Sequence, residues 1–144
     1  MKFPRSPHDT IHSLVYFPRM LDKIRLHAAG ELGEDYIPNL GKAFDDRCCK
    51  LLGVSYEELA NQVKSGLSDE DVWSWALQKG TVPTEEQVEV WNGFMMKRGW
   101  KDDVSSTLER RKKEGGFEKR TEIQTMFDYI DADERRPLRT PPIP

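Results

Sequence analysis

The sequence has little with which to staple, span or catalyse. It holds two cysteines, Cys48 and Cys49, and they are adjacent. A bond between neighbours strains the backbone and no third thiol is available, so a disulfide framework is excluded. Two reduced thiols fit a reducing compartment. Long apolar runs are missing as well: residues 14–17, the longest near the start, are far too few to cross a bilayer. The opening MKFPRSPHD lacks the apolar core of a secretory signal, which makes the cytoplasm the expected location and a membrane one excluded. No GxGxxG, P-loop, HExxH, CxxC or GxSxG motif occurs. Of the three histidines, none stands where it would activate a serine or cysteine. Strict period-2 alternation between turn signals is also absent, so little or no sheet is expected.

Charge is what the chain has in quantity. Charged residues make up 33% and hydrophobic ones 37%, the balance of a small soluble domain with a modest core. At 144 residues such a chain buries roughly two-thirds of its unfolded surface. The net charge of −3 hides an uneven distribution: residues 1–30 and 97–120 are net basic and 31–96 strongly acidic. That arrangement points to complementarity within the fold or with a partner, not to a broad basic face for nucleic acid.

The rest of the chain is organised around residues 17–29, FPRMLDKIRLHAA. Pro18 suits a first helical turn, where its missing N–H is not needed. At about 100° per residue Met20, Leu21, Ile24 and Ala28 share one side, a stripe for the core. Arg19, Asp22 and Lys23 face the other way, with Arg25 on their border and Asp22 one turn from both arginines. Leu26 projects into this charged side, which implies that something covers it. Covered charges need partners. An internal ion-pair network is the preferred reading, and a basic pocket for an anionic ligand is the alternative.

Around this helix the chain reads as all-α. Ser6-Pro7 is a turn, and a short helix is expected from His8 to about Val15. It would carry His8 and His12 as surface imidazoles, without the third ligand that a metal needs. His27 is expected at the core edge. The segment 30–41, with three glycines and Pro38, is a loop long enough to lie over something. Its Tyr36 and Asn39 can reach a ligand or tie the loop down, and tying is the commoner use. A helical stripe follows from Lys42 to Gly53, and then three capping signals, Ser55 with Glu58, Ser68 with Asp71, and Thr84 with Gln87. These open helices that glycines close, and their tryptophans stand at core spacing. Asp102 or Asp103 is expected to cap a helix whose run Arg110 to Lys113 suits a solvated C-terminal turn. The last helix, about 122–131, has Ile123, Met126, Phe127 and Ile130 at i, i+3, i+4 and i+7. Asp131 and Asp133 open no calcium loop, because no glycine follows at the sixth position. The expected fold is one all-α domain of six to eight short helices over residues 1–136. A proline-rich, mobile tail follows at 137–144.

The segments PRSP (4–7), FPRMLDKIRLHAAGELGEDY (17–36), LLGVS (51–55), SDEDVWSWAL (68–77) and TMFDYIDADERR (125–136) resemble a family of small bacterial proteins catalogued only as a domain of unknown function. The resemblance implies a compact cytoplasmic domain and supplies no activity, cofactor or catalytic residue. It singles out Arg19, Asp22, Lys23, Arg25, Asp133 and Glu134 as lying in recurrent segments. The reading of the residues adds Arg136, placed to reach Asp22. The function expected is that of a non-enzymatic binding protein with an unidentified protein partner. The alternative is a small enzyme or metabolite-binding protein that holds an anionic substrate on the Arg/Lys cluster. No cofactor and no metal is implied, and oligomeric state is not legible.

Overall fold

A computed structural model describes residues 2–139. Seven α-helices enclose one core: α1 (Phe17–Ala28), α2 (Phe44–Leu52), α3 (Tyr56–Lys64), α4 (Asp69–Lys79), α5 (Glu85–Lys97), α6 (Ser105–Glu114) and α7 (Met126–Asp133). A 3-10 helix, Glu34–Asn39, lies between α1 and α2. Phe17, Met20, Leu21 and Ile24 of α1 are buried, and they meet Cys48, Leu52, Leu59, Val63, Val72 and Phe127 from the helices around them. The stripe expected on α1 thus forms the centre of the core, except that it ends early: Ala28 and His27 are exposed.

The capping signals work as local chemistry predicts. Ser55 accepts from the Glu58 amide and Ser68 from the Asp71 amide, while Thr84 and Gln87 complete a reciprocal box. Each cap satisfies an amide that the helix itself cannot. The expected cap at Asp102 or Asp103 is not used; α6 starts after Val104, and Asp102 accepts instead from the Gly99 and Val104 amides. The last helix begins at Met126, not Glu122, because Thr125 takes the cap by accepting from the Asp128 amide. Ile123 is nonetheless buried. The basic run is not wholly solvated either: Lys112 is buried and donates to the Ile123 carbonyl at 2.9 Å. Gly80 permits the closest backbone approach, since a Cβ there would stand 1.9 Å from the Leu52 carbonyl oxygen.

Residues 8–15 depart from expectation. They form no helix but a two-stranded hairpin, β1 (Thr10–Ile11) with β2 (Leu14–Val15), turning through His12 and Ser13, both at positive φ. Two successive positive-φ residues are what a tight hairpin loop requires. The hairpin is held by α5: the Val15 amide donates to Asn92 Oδ1, Trp91 Nε1 donates to the Val15 carbonyl, and Asn92 Nδ2 donates to the Ser13 carbonyl. These long-range bonds override a local helical pattern. His8 is therefore no surface imidazole; it is buried with its ring against Phe127. His12 stacks on Trp73. Of the expected tail, residues 140–144 lie outside the described residues, and Arg139 pairs with Asp9 at 2.8 Å.

Both cysteines are free and buried on α2. Burial pushes the Cys49 thiol up to about 12 and Cys48 up as well. A neutral buried thiol is a poor nucleophile. The folded protein at pH 8 should therefore leave both thiols unreacted towards a chromogenic disulfide reagent, and denaturant should release two equivalents. Prompt reaction in the folded state would show that α2 opens locally.

Candidate functional site

The charged side of α1 is buried, and it divides into two networks. Arg19 is 4% exposed and Lys23 7%. Arg19 donates through Nη1 and Nη2 to the two Glu134 oxygens at 2.8 and 2.7 Å, a forked pair joining α1 to the end of α7. Its Nη1 also donates to the Arg5 carbonyl at 3.1 Å. Tyr36 of the 3-10 helix donates to Glu134 Oε2 at 2.5 Å, so this residue ties its loop to the body. Burial alone would raise the Glu134 carboxyl; Arg19, Tyr36 and Arg136 outweigh it and hold the group below its ordinary range. Lys23 Nζ lies 2.8 Å from both Asp45 Oδ1 and the Tyr16 hydroxyl oxygen. Tyr16 in turn donates to Asp45 Oδ1 at 2.6 Å, and the Gly41 amide donates to Asp45 Oδ2. Burial lowers the Lys23 ammonium, which Asp45 offsets only in part, while burial and Asp45 together raise the Tyr16 hydroxyl.

The second network meets the first through Arg5, whose carbonyl accepts from Arg19. Asp22 accepts from the Arg5 amide, Nε and Nη2, each at 2.9 Å, and stands 3.6 Å from Arg25. Arg25 and Arg5 both reach Asp69 at the start of α4. Of the seven residues singled out in the sequence, Arg19, Lys23, Asp133 and Glu134 line one cleft. Arg136 sits behind it, bonded to Glu134 and to the Pro4 carbonyl. Asp22 and Arg25 belong to the other network. The central helix and the segment after the last one are expected to share a single charge network, and Arg19 does meet Glu134; the expected contacts of Asp22 with Arg19 and Arg136 are absent, because Arg5 occupies that carboxylate. Asp133 is exposed and makes no ion pair among the described residues.

The cleft has a volume of about 420 Å³, within the roughly 300–1,000 Å³ of small-molecule sites. Its floor is Tyr16, Arg19, Lys23 and Glu134, and Phe44, Val104, Met126 and Ile130 supply apolar wall. Lys42, Arg47 and Arg111 also line it and make no ion pair among the described residues, whereas Arg98 is held by Asp102 and Asp103. Two lining residues adopt positive φ without being glycine, Tyr16 (77°) and Ala43 (52°). Such conformations cost about 1–3 kcal/mol each and collect where a surrounding structure enforces them. Sequence reasoning missed Tyr16 and Asp45. A signal for Asp45 exists: with Cys48, Cys49 and Leu52 it stands at i, i+3, i+4 and i+7, and all four are buried. An acid within an apolar stripe marks a buried partner. Tyr16 offers no such sign, because its position depends on the hairpin.

A family model described as a domain of unknown function (DUF5069) matches residues 1–136. No curated protein matches the chain.

Breaking the forked pair should unfold the protein sooner than breaking the outer network. Glu134→Ala leaves a buried guanidinium without its partner and should cost roughly 3–5 kcal/mol in urea melts. Asp22→Ala, at a half-buried position, should cost less, about 1–3 kcal/mol. Because the folded Glu134 carboxyl is depressed, its contribution is complete above its ordinary value of 4.5 and is lost as pH falls through the folded value. The wild type should thus lose stability below that pH more steeply than Glu134→Gln. Parallel pH–stability curves for the two proteins would contradict this assignment.

Proposed function

The chain belongs to this family of domains of unknown function, so its activity has to be read from the cleft, and we propose that it binds a small organic anion there. The observation that carries the reading is that the cleft opens onto the charged side of α1. Lys42, Arg47 and Arg111 present positive charge to its interior without carboxylate partners. Of the two functions expected from the sequence, this favours the metabolite-binding one over a protein partner. A cluster closed entirely by its own acids would favour the other.

The physical roles follow from position. Unpaired cations near the mouth raise the local concentration of anions and speed their capture. The apolar stretch of Phe44, Val104, Met126 and Ile130 excludes water from the ligand's body, and charge attraction strengthens as water leaves. The floor pairs, Arg19 with Glu134 and Lys23 with Asp45, keep the helix ends in place while the cleft is empty or filled. Among the described residues none beyond Glu134 lines the cleft, which supports treating 1–136 as the domain. No helix among the described residues is long and apolar enough to cross a membrane. The two unpaired buried thiols support a reducing, cytoplasmic location.

Titration of the full chain with 4-methylbenzoate, phenyl phosphate and inorganic phosphate tests the reading. At least one of the two organic anions should raise the melting temperature and bind more tightly than phosphate alone. Its affinity should fall as salt rises. The exposed double variant Arg47→Gln, Arg111→Gln should keep the wild-type melting temperature and lose roughly tenfold or more in affinity. No binding by any of the three, or equal binding by the double variant, would refute it.

A further inference from the structure

Lys23 supplies a more specific statement about the ligand. Its ammonium carries three hydrogens. The described residues offer it two acceptors, Asp45 Oδ1 and the Tyr16 oxygen, each at 2.8 Å, so at least one hydrogen has none. Lys23 as a residue is 7% exposed, and it lines the cleft. A buried charged donor left without an acceptor is costly, and a ligand oxygen at that point removes the cost. Arg19 beside it has a similar surplus: three of its five hydrogens go to Glu134 and the Arg5 carbonyl. The floor is therefore a second polar end, separate from the unpaired cations of Lys42, Arg47 and Arg111. Apolar side chains, Phe44, Met126 and Ile130 among them, make up wall of the same cleft.

We infer that the ligand is bipartite: an organic anion with an acidic group for the mouth cations, an apolar body, and a second oxygen acceptor, a carboxylate or keto group, that takes the free Lys23 hydrogen at the floor. This rests on the anion-binding reading and adds to it the chemistry of the buried end. Two features prepare the floor for that role. Tyr16 and Asp45, themselves 2.6 Å apart, hold the Lys23 ammonium from one side, so its free hydrogen is turned away from them before the ligand arrives. The Gly41 amide, bonded to Asp45 Oδ2, fixes the carboxylate from its other oxygen. A preset donor loses little freedom on binding, which concentrates the discrimination at that atom. A site that hydrogen-bonds a substrate group rejects the analogue lacking it far more strongly than an apolar pocket rejects a missing methyl.

The test compares terephthalate with 4-methylbenzoate on the full-length wild-type protein by calorimetry. The two acids share ring and mouth-side carboxylate and differ only at the far end. Terephthalate should bind roughly tenfold or more tightly, the worth of one hydrogen bond to a charged group. In protein labelled with 15N-lysine, terephthalate should shift the Lys23 ammonium resonance and 4-methylbenzoate should leave it in place. Arg47→Gln with Arg111→Gln should weaken both acids while preserving the ratio between them. Equal affinity for the two acids, with both weakened by the double variant, would overturn the bipartite ligand and leave the anion site standing. A terephthalate advantage without movement of the Lys23 resonance would overturn it as well. Failure of both acids, together with phenyl phosphate, to bind would remove the anion site and this inference with it.

Discussion

One forked ion pair determines where the two ends of the domain meet. Arg19 lies in the first turn of the first helix and Glu134 just beyond the last, and their two parallel bonds fix both distance and orientation. The 3-10 helix is tied to the same carboxylate by Tyr36, and the Arg136 guanidinium links it to the Pro4 carbonyl. Four segments distant in sequence thus converge on one buried acid. Removing water from two charges is expensive, and the attraction between them repays it only when the remaining donors and acceptors are filled. Glu134 meets that condition more fully than either floor cation does.

The imbalance separates architecture from site. Saturated groups, Glu134 and Asp45, position helices. Groups with donors to spare, Lys23 and Arg19, face the cleft. The outer network of Arg5, Asp22, Arg25 and Asp69 is more exposed and seats the N-terminal segment and α4 on α1. None of these four residues lines the cleft, so the charged side of one helix divides between a structural network and a cleft.

Much of the fold was legible because it is set by neighbours in sequence. Ser55, Ser68 and Thr84 act within three residues of themselves, and the stripe from Phe17 to Ile24 depends only on helical period. Arg19, Lys23 and Glu134 were found because charged residues around Leu26 had to be covered by something. Asp133 and Glu134 were expected against this helix as a pair, but which of them meets Arg19, and that Asp22 belongs to Arg5, depends on contacts distant in sequence. The hairpin was not legible at all. Its strands are two residues each, and the bonds that hold them come from Trp91 and Asn92 on α5. Tyr16, at the end of that hairpin, inherits the same obscurity, and with it goes half of the Lys23 environment.

The partners in the forked pair are 115 residues apart in the chain, and Arg136 and Pro4 are 132 apart. During synthesis α1 therefore emerges with its charged side uncovered and must keep Arg19 in water until almost the whole domain has been made. Native closure of the floor is a late, non-local event, whose entropic cost rises with the logarithm of the loop it must close. A chain ended before residue 126 would retain every helix of the core but α7, with no carboxylate to receive Arg19. Quality control in the cell would meet such a fragment as a bundle with a bare cationic seam beside the apolar surface that Phe127 covers in the finished protein.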